Sequence, residues 1–200
     1  MQLRRLNPLD ATIYRAFRLR GLRDHPDAFT SSFEQENLQP PADAVARLSG
    51  ASSTYMWGAF TDEGVTSEPA GKLMGVFGFA REERLKNCHK ATLIGMFVAP
   101  EFSGCGVGRA LVKAVMQDAR TDGVAVLVLT VTEGNARARA LYAQAGFQTI
   151  GIEPDAIRVH GASFDKEHMA CQITPALPPS LPSPSLLSLP TDRAPARANP

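Results

Sequence analysis

The stretch Ala99-Pro100-Glu101-Phe102-Ser103-Gly104-Cys105-Gly106-Val107-Gly108-Arg109-Ala110-Leu111 constrains this chain most: an apolar strand runs into a glycine-rich turn, and the turn runs directly into an amphipathic helix. Glycines at alternate positions let the backbone approach a ligand without Cβ obstruction, and the helix start leaves N–H groups without intrahelical partners. Aided by the helix dipole, those groups suit a phosphate or pyrophosphate. A P-loop is excluded, because the last glycine is followed by Arg109-Ala110 where lysine and a hydroxyl residue are required. The dinucleotide fingerprint fits poorly too, since Gly104, Gly106 and Gly108 read G-x-G-x-G and lie halfway along the chain. On the glycines alone, a flexible turn between strand and helix remains the alternative.

Taken in order, the chain is predicted to open with a short strand, Leu3 to Leu6, and a helix start at Asn7-Pro8-Leu9-Asp10, with an N-cap residue, proline and an acid in place. That helix should run to Asp24 with Ile13, Ala16 and Phe17 on its apolar face, stopped by His25-Pro26. Ala28 to Gly50 reads as a helical flap, with a short helix around Glu34 and another from Ala42 to Leu48. Strands follow at Thr54–Phe60, Gly71–Ala80 and Ala91–Val98, with a turn at Asp62-Glu63-Gly64. The glycine turn leads into a helix from Gly106 to Arg120, with Val107, Leu111 and Val115 on one stripe and Arg109, Lys113, Gln117 and Arg120 on the other. Ala125 to Val131 is an almost unbroken apolar run, as expected of a strand covered on both faces. A helix from Asn135 to Ala145 is capped by Gly146. Strands Phe147–Ile152 and Phe164–Ile173, separated by a loop containing Pro154 and Gly161, complete the sheet.

Two hundred residues, 44% hydrophobic and 20% charged, are ordinary material for one folded unit. Residues 1–174 are expected to form it. From Pro175 onward eight of the last 26 residues are proline, so 175–200 is expected to be a disordered tail that adds nothing to melting temperature or activity. A formal charge of +1 argues against a nucleic-acid-coating protein. Arg4, Arg5, Arg15, Arg18, Arg20 and Arg23 read as a solvated helix face. No apolar run approaches the ~20 residues needed to span a bilayer. Cys88, Cys105 and Cys171 are odd in number and form no C-x-x-C pair, so neither a disulfide framework nor a metal site is indicated, and the cytoplasm fits best.

After the apolar run comes Thr132-Glu133-Gly134-Asn135-Ala136-Arg137-Ala138-Arg139-Ala140-Leu141-Tyr142-Ala143-Gln144-Ala145-Gly146-Phe147. Asn135 and Tyr142 lie two helical turns apart, on one face with Ala138 between them. Strand, V-x-P-x-x-x-G-x-G-x-G, helix, apolar strand, then N-x-x-A-x-x-L-Y-x-x-x-G-F: in this order and spacing the chain, from Leu3 to Ile173, resembles the GNAT superfamily of acetyl-CoA-dependent N-acetyltransferases. Segments Leu22 to Phe29 and Glu153 to Met169 resemble its bacterial single-domain members, which are broad in acceptor. The resemblance implies an α/β (mixed α+β) fold whose central, mostly antiparallel twisted sheet of about seven strands is flanked by helices. It implies acetyl transfer to a primary amine of a small molecule or peptide, and leaves a homodimer open.

Carried over by matching residue, the resemblance has Met96, Phe97 and Val98 offering backbone groups to the pantetheine arm and acetyl carbonyl of acetyl-CoA. Ser103, Gly104, Cys105, Gly106, Val107, Gly108 and Arg109 would cradle the pyrophosphate, and Asn135 would bond the arm. Tyr142 would stand near the thioester sulfur as general acid, the alternative being a core tyrosine filling a helix–sheet gap. Ser103 departs from the usual Gln or Arg, so a charge is missing from the turn. Cys105, at a helix N-terminus, is either a reactive thiol or an incidental small residue. Thr92 stands where some members carry a glutamate base, which leaves Glu34, Glu36 and His89 as base candidates, or an amine deprotonated through water. A non-catalytic acyl-CoA-binding sensor or scaffold would explain Ser103 and Thr92; Asn135 and Tyr142 favour the enzyme.

Overall fold

Seven strands form a single sheet in the order β1-β2-β3-β4-β5-β7-β6. The computed structural model describes residues 1–50, 53–62 and 71–174. The strands are β1 (Gln2–Arg5), β2 (Thr54–Phe60), β3 (Leu73–Arg81), β4 (Lys90–Val98), β5 (Val126–Thr132), β6 (Gln148–Val159) and β7 (Ala162–Gln172); the helices are α1 (Ala11–Asp24), α2 (Phe33–Leu38), α3 (Pro41–Leu48), α4 (Val107–Thr121) and α5 (Ala136–Gln144). All pairings are antiparallel except β4 with β5. The expected tail at 175–200 lies outside the described residues, as do Glu63 and Gly64 of the expected turn. Among the described residues no helix is long and apolar enough to cross a membrane.

The first helix begins as the sequence dictates. Asn7 accepts from the Leu9 N–H at 2.9 Å, the Asn7 N–H donates to Asp10 at 2.9 Å, and Arg4 clasps Asp10 through two bonds of 2.6 and 2.7 Å. Its buried face differs from the expected one. Ile13 and Ala16 point outward, while Tyr14, Phe17 and Leu22 are buried. Gly21 explains the rotation, because a Cβ there would stand 3.0 Å from the Phe97 ring, so the helix seats its bare turn on β4. Nor do the arginines of this segment form a solvated face: Arg4, Arg5, Arg18 and Arg20 pair with Asp10, Asp118, Glu36 and Glu101.

Two cores flank the sheet. One packs α1 and α3 against Met56, Phe60, Val76 and Phe97. The other packs α4 and α5 against the opposite side, with Val107, Leu111 and Val115 of α4 essentially inaccessible, as the periodicity required. The last two strands form one long hairpin rather than short strands joined by a loop. The register breaks between Glu153 and Ile157, which accommodates Pro154, and the strands turn at His160-Gly161, both with positive φ.

The feature that positions the site lies in the middle of the sheet. β4 and β5 pair only through Lys90, Ala91 and Thr92 with Val126, Leu127 and Val128. Beyond Thr92, β4 stays with β3 while β5 stays with β7 as far as Thr132 opposite Lys166. Between Phe97 and Ile94, β4 holds one residue more than β3 does between Val76 and Gly78, and Gly95 there has φ +67°. This bulge bends β4 away from β5. The sheet therefore opens into a gap, and the β5 run is not covered on both faces: Leu127, Leu129 and Val131 are buried while Thr130 is exposed.

Candidate active site

The glycine turn ends β4 at the mouth of this gap. Gly104 and Gly106 have φ of +83° and +78°, and a Cβ on either would meet nothing within 4 Å, so backbone conformation, not crowding, demands glycine there. Gly108 serves differently: its φ is ordinary, and a Cβ would come 3.3 Å from Leu141, so it brings α4 close to α5. No side chain caps α4, and its ladder starts with the Ala110 N–H donating to the Gly106 carbonyl at 3.0 Å. The N–H groups of Gly106, Val107, Gly108 and Arg109 precede that first bond, and N–H groups so left at a helix start suit an anion.

A groove of about 490 Å³ runs along this turn, lined by Met96, Phe97 and Val98 of β4, by Ser103, Gly104, Gly106, Val107, Gly108 and Arg109, and by Asn135, Arg137, Ala138 and Leu141. A chamber of about 500 Å³ occupies the gap between β4 and β5, walled by Thr92 to Met96, Leu129 to Thr132, Tyr142 and Lys166. The two share Ala28, Phe29, Met96, Asn135 and Ala138. Groove and chamber thus form one passage. Residues 25–31 strap across it, tied to β5 by the Thr132 hydroxyl donating to the Asp27 carbonyl at 2.6 Å and to β7 by Lys166 donating to the Thr30 hydroxyl.

Asn135 and Tyr142 stand on one wall as the helical spacing required. Asn135 Oδ1 accepts from the Ala138 N–H at 3.0 Å and so starts α5, which leaves the amide NH2 for a ligand. Tyr142 is only 5% exposed, with its ring against Phe77 and Phe147 at centroid distances of 6.0 and 5.9 Å. It is both a core residue and a wall of the chamber. Its hydroxyl has no hydrogen-bond partner among the described residues, and burial pushes its ionisation above the ordinary value of 10.0. The group stays a proton donor at neutral pH.

Other candidates stand elsewhere. Cys105 is exposed and lines neither groove nor chamber. His89 is exposed in the turn before β4, at the end of that strand far from the glycine turn, and Glu34 on α2 is exposed; neither lines the passage. Glu36 lies behind the chamber, bonded to Arg18 at 2.7 and 3.1 Å and to Arg47 at 3.0 Å. Burial works to raise its pKa, but the bonds and charge of Arg18, then Arg47, outweigh it and hold the carboxyl below its ordinary value. So held, it is an anchor for two guanidinium groups and a weak proton acceptor.

Three contributions escape the linear sequence. Arg137, in the first turn of α5, donates to the Ser103 hydroxyl across 34 residues of chain and restores positive charge to the turn. Arg18 and Arg47 line the chamber. Lys166, which sits in the charged run Asp165-Lys166-Glu167 and so reads as part of a solvated edge, is 6% exposed in the chamber wall. The α5 arginine could have been anticipated from its place just after Asn135.

Comparison with known proteins agrees with this geometry. L-methionine sulfoximine/L-methionine sulfone acetyltransferase of Pseudomonas aeruginosa is 25% identical over 111 residues, 56% of this chain and 64% of that protein. The ribosomal protein bS18-alanine N-acetyltransferase of Escherichia coli is 41% identical over 63 residues, 32% of this chain and 43% of that protein. The chain therefore spans less than two thirds of the length of these relatives. The crystal structure of a phosphinothricin acetyltransferase from Sinorhizobium meliloti in complex with acetyl-CoA superposes with a TM-score of 0.73 at 15% identity, over 86% of this chain and 88% of that one, and shares the fold. The model of the acetyltransferase (GNAT) family matches residues 20–147, which include the glycine turn, the β4–β5 gap and the Asn135–Tyr142 face, and the chain belongs to that family.

Proposed function

We propose that this chain transfers an acetyl group from acetyl-CoA directly to a primary amine of a small molecule or peptide. The observation that carries the reading is the continuity of the groove along the glycine turn with the chamber whose wall includes Tyr142. The residues present fit the cofactor: an uncapped helix start, two glycines whose positive φ aims backbone at the groove, and two arginines beside them. When bound, acetyl-CoA supplies a thioester carbonyl open to attack by an amine, with a thiol as leaving group.

This chain's own residues do the rest. The N–H groups before the first turn of α4, with Ser103, Arg109 and Arg137, hold the pyrophosphate. Backbone groups of the Met96 to Val98 segment that face away from β3, left without a strand partner where β5 departs, and the amide NH2 of Asn135 hold the arm. Tyr142, kept protonated by burial, delivers a proton to the departing sulfur. Phe29 and the strap over the passage limit the entry of bulk water. The amine needs a proton acceptor, and Thr92 cannot supply one; ordered water takes that part, since Glu34 and His89 lie off the passage and Glu36 is held by two arginines. The three cysteines are unpaired, which supports the cytoplasm as location.

Calorimetric titration with acetyl-CoA, followed in the same sample by thiol release against a panel of primary amines, tests the proposal. Binding with acceptor-dependent release is expected. Binding with no release from any amine would transfer the chain to the class of acyl-CoA sensors.

A further inference from the structure

The charged residues that line the chamber are all cationic. Among its described lining residues none is Asp or Glu, while Arg18, Arg47 and Lys166 all contribute. Glu36 behind it offsets one of the two arginines. Arg18 spends Nε and Nη2 on Glu36 and Ser31, and its Nη1 donates to nothing among the described residues. That nitrogen stands 3.7 Å from where a Cβ on Gly95 would be, over the bulge of β4. Lys166 spends one of its three donors on Thr30. The carboxylate paired with it across the hairpin, Glu153, is bonded to His168 at 2.8 Å, and Lys166 forms no ion pair among the described residues.

An ammonium held in a protein wall without a contacting carboxylate is costly, and an anion seated in the chamber beside it would offset that cost. We propose that the chamber selects acceptors that carry a carboxylate or similar anionic group beside the amine, the anion being held by Lys166 and Arg18. The proposal rests on the acetyl-transfer reading and names its substrate class. Burial lowers the pKa of Lys166, the charge of Glu153 offsets this only in part, and an anion seated beside the ammonium would reverse the shift. A polycationic amine would meet like charge on two walls. The same charges lower the pKa of an acceptor ammonium that enters beside them, so the cationic chamber supplies neutral nucleophile where Thr92 can take no proton.

Matched pairs decide the matter: a panel of amino carboxylic acids, each against its amide, assayed by thiol release with saturating acetyl-CoA. The acid of a productive pair should be favoured in kcat/KM by about tenfold or more, and Lys166→Gln and Arg18→Gln should each shrink that ratio to within about threefold while acetyl-CoA still binds. Amides used as well as their acids by the unaltered protein would overturn the inference whatever the variants do. Titration of the N-acetylated acid and the N-acetylated amide into the CoA-bound protein reads the same preference without turnover. Tighter binding of the acid with no thiol release from any amine would keep the anion site and remove the transferase reading; equal binding would remove the anion site.

Discussion

Replacing Tyr142 by phenylalanine removes one oxygen from a side chain whose ring is fully engaged, so structure and chemistry separate cleanly there. The ring keeps its contacts with Phe77 and Phe147. The hydroxyl has no partner among the described residues, so its loss breaks no protein hydrogen bond, and stability should move by no more than about 1 kcal/mol in either direction. A positioned general acid contributes roughly 10²- to 10⁴-fold, equivalent to about 2.7–5.4 kcal/mol of barrier at about 1.36 kcal/mol per decade. Thiol release at saturating acetyl-CoA and acceptor should therefore fall at least about a hundredfold, while calorimetry gives an unchanged affinity for acetyl-CoA and scanning calorimetry an unchanged Tm. Burial raises the tyrosine's pKa above its unfolded value, so its contribution to stability is complete below about pH 10 and declines as pH rises through the folded value. Accordingly the unaltered protein should show no alkaline loss of turnover from this group below about pH 10. Turnover of the Phe variant within about threefold of the parent would refute the assignment and return Tyr142 to the core.

Two further perturbations probe the parts that hold the site. Arg137→Gln should weaken acetyl-CoA about three- to tenfold at low salt and less at high salt, while S-acetylpantetheine, which lacks the pyrophosphate, should bind as before; an equal loss for both ligands would place Arg137 elsewhere. Asp10→Asn should cost about 1–3 kcal/mol in denaturant unfolding, because it weakens the cap of α1 and the clasp of Arg4 together. The Arg4 bonds, working against desolvation, hold Asp10 below its ordinary value of 3.8, so this stabilisation is present above that pH and is lost as pH falls through the depressed value. The variant should thus be less sensitive to acid than the parent, and parallel acid curves would contradict the argument.

Local rules were sufficient where they were strong. The Asn7-Pro8-Leu9-Asp10 start, the positive-φ glycines of the turn and the two-turn spacing of Asn135 and Tyr142 are all settled within a few residues, and each was legible. Longer-range geometry was not. The bulge at Gly95 lies in an apolar strand whose composition is the same with or without it, so nothing announced that β4 and β5 part after three pairs. Arg137 meets Ser103 across 34 residues of chain, a contact set by how α5 lies beside the turn and α4 rather than by local spacing. Ile13 is more apolar than Tyr14, yet Tyr14 is buried, since the bare turn at Gly21 fixes which side of α1 faces β4. Lys166 was hidden by its charged neighbours, and Pro154 read as a loop although a register break absorbs it within the hairpin.

The crystal structure of this chain with acetyl-CoA bound tests the central claim most directly, because the site is defined by one passage through a parted sheet. The pyrophosphate should lie on the N–H groups of Gly106 to Arg109 with Arg137 beside it, and the thioester should sit between β4 and β5 within hydrogen-bond reach of the Tyr142 hydroxyl. A pyrophosphate bound away from that turn, or a thioester that leaves the gap empty, would contradict the account.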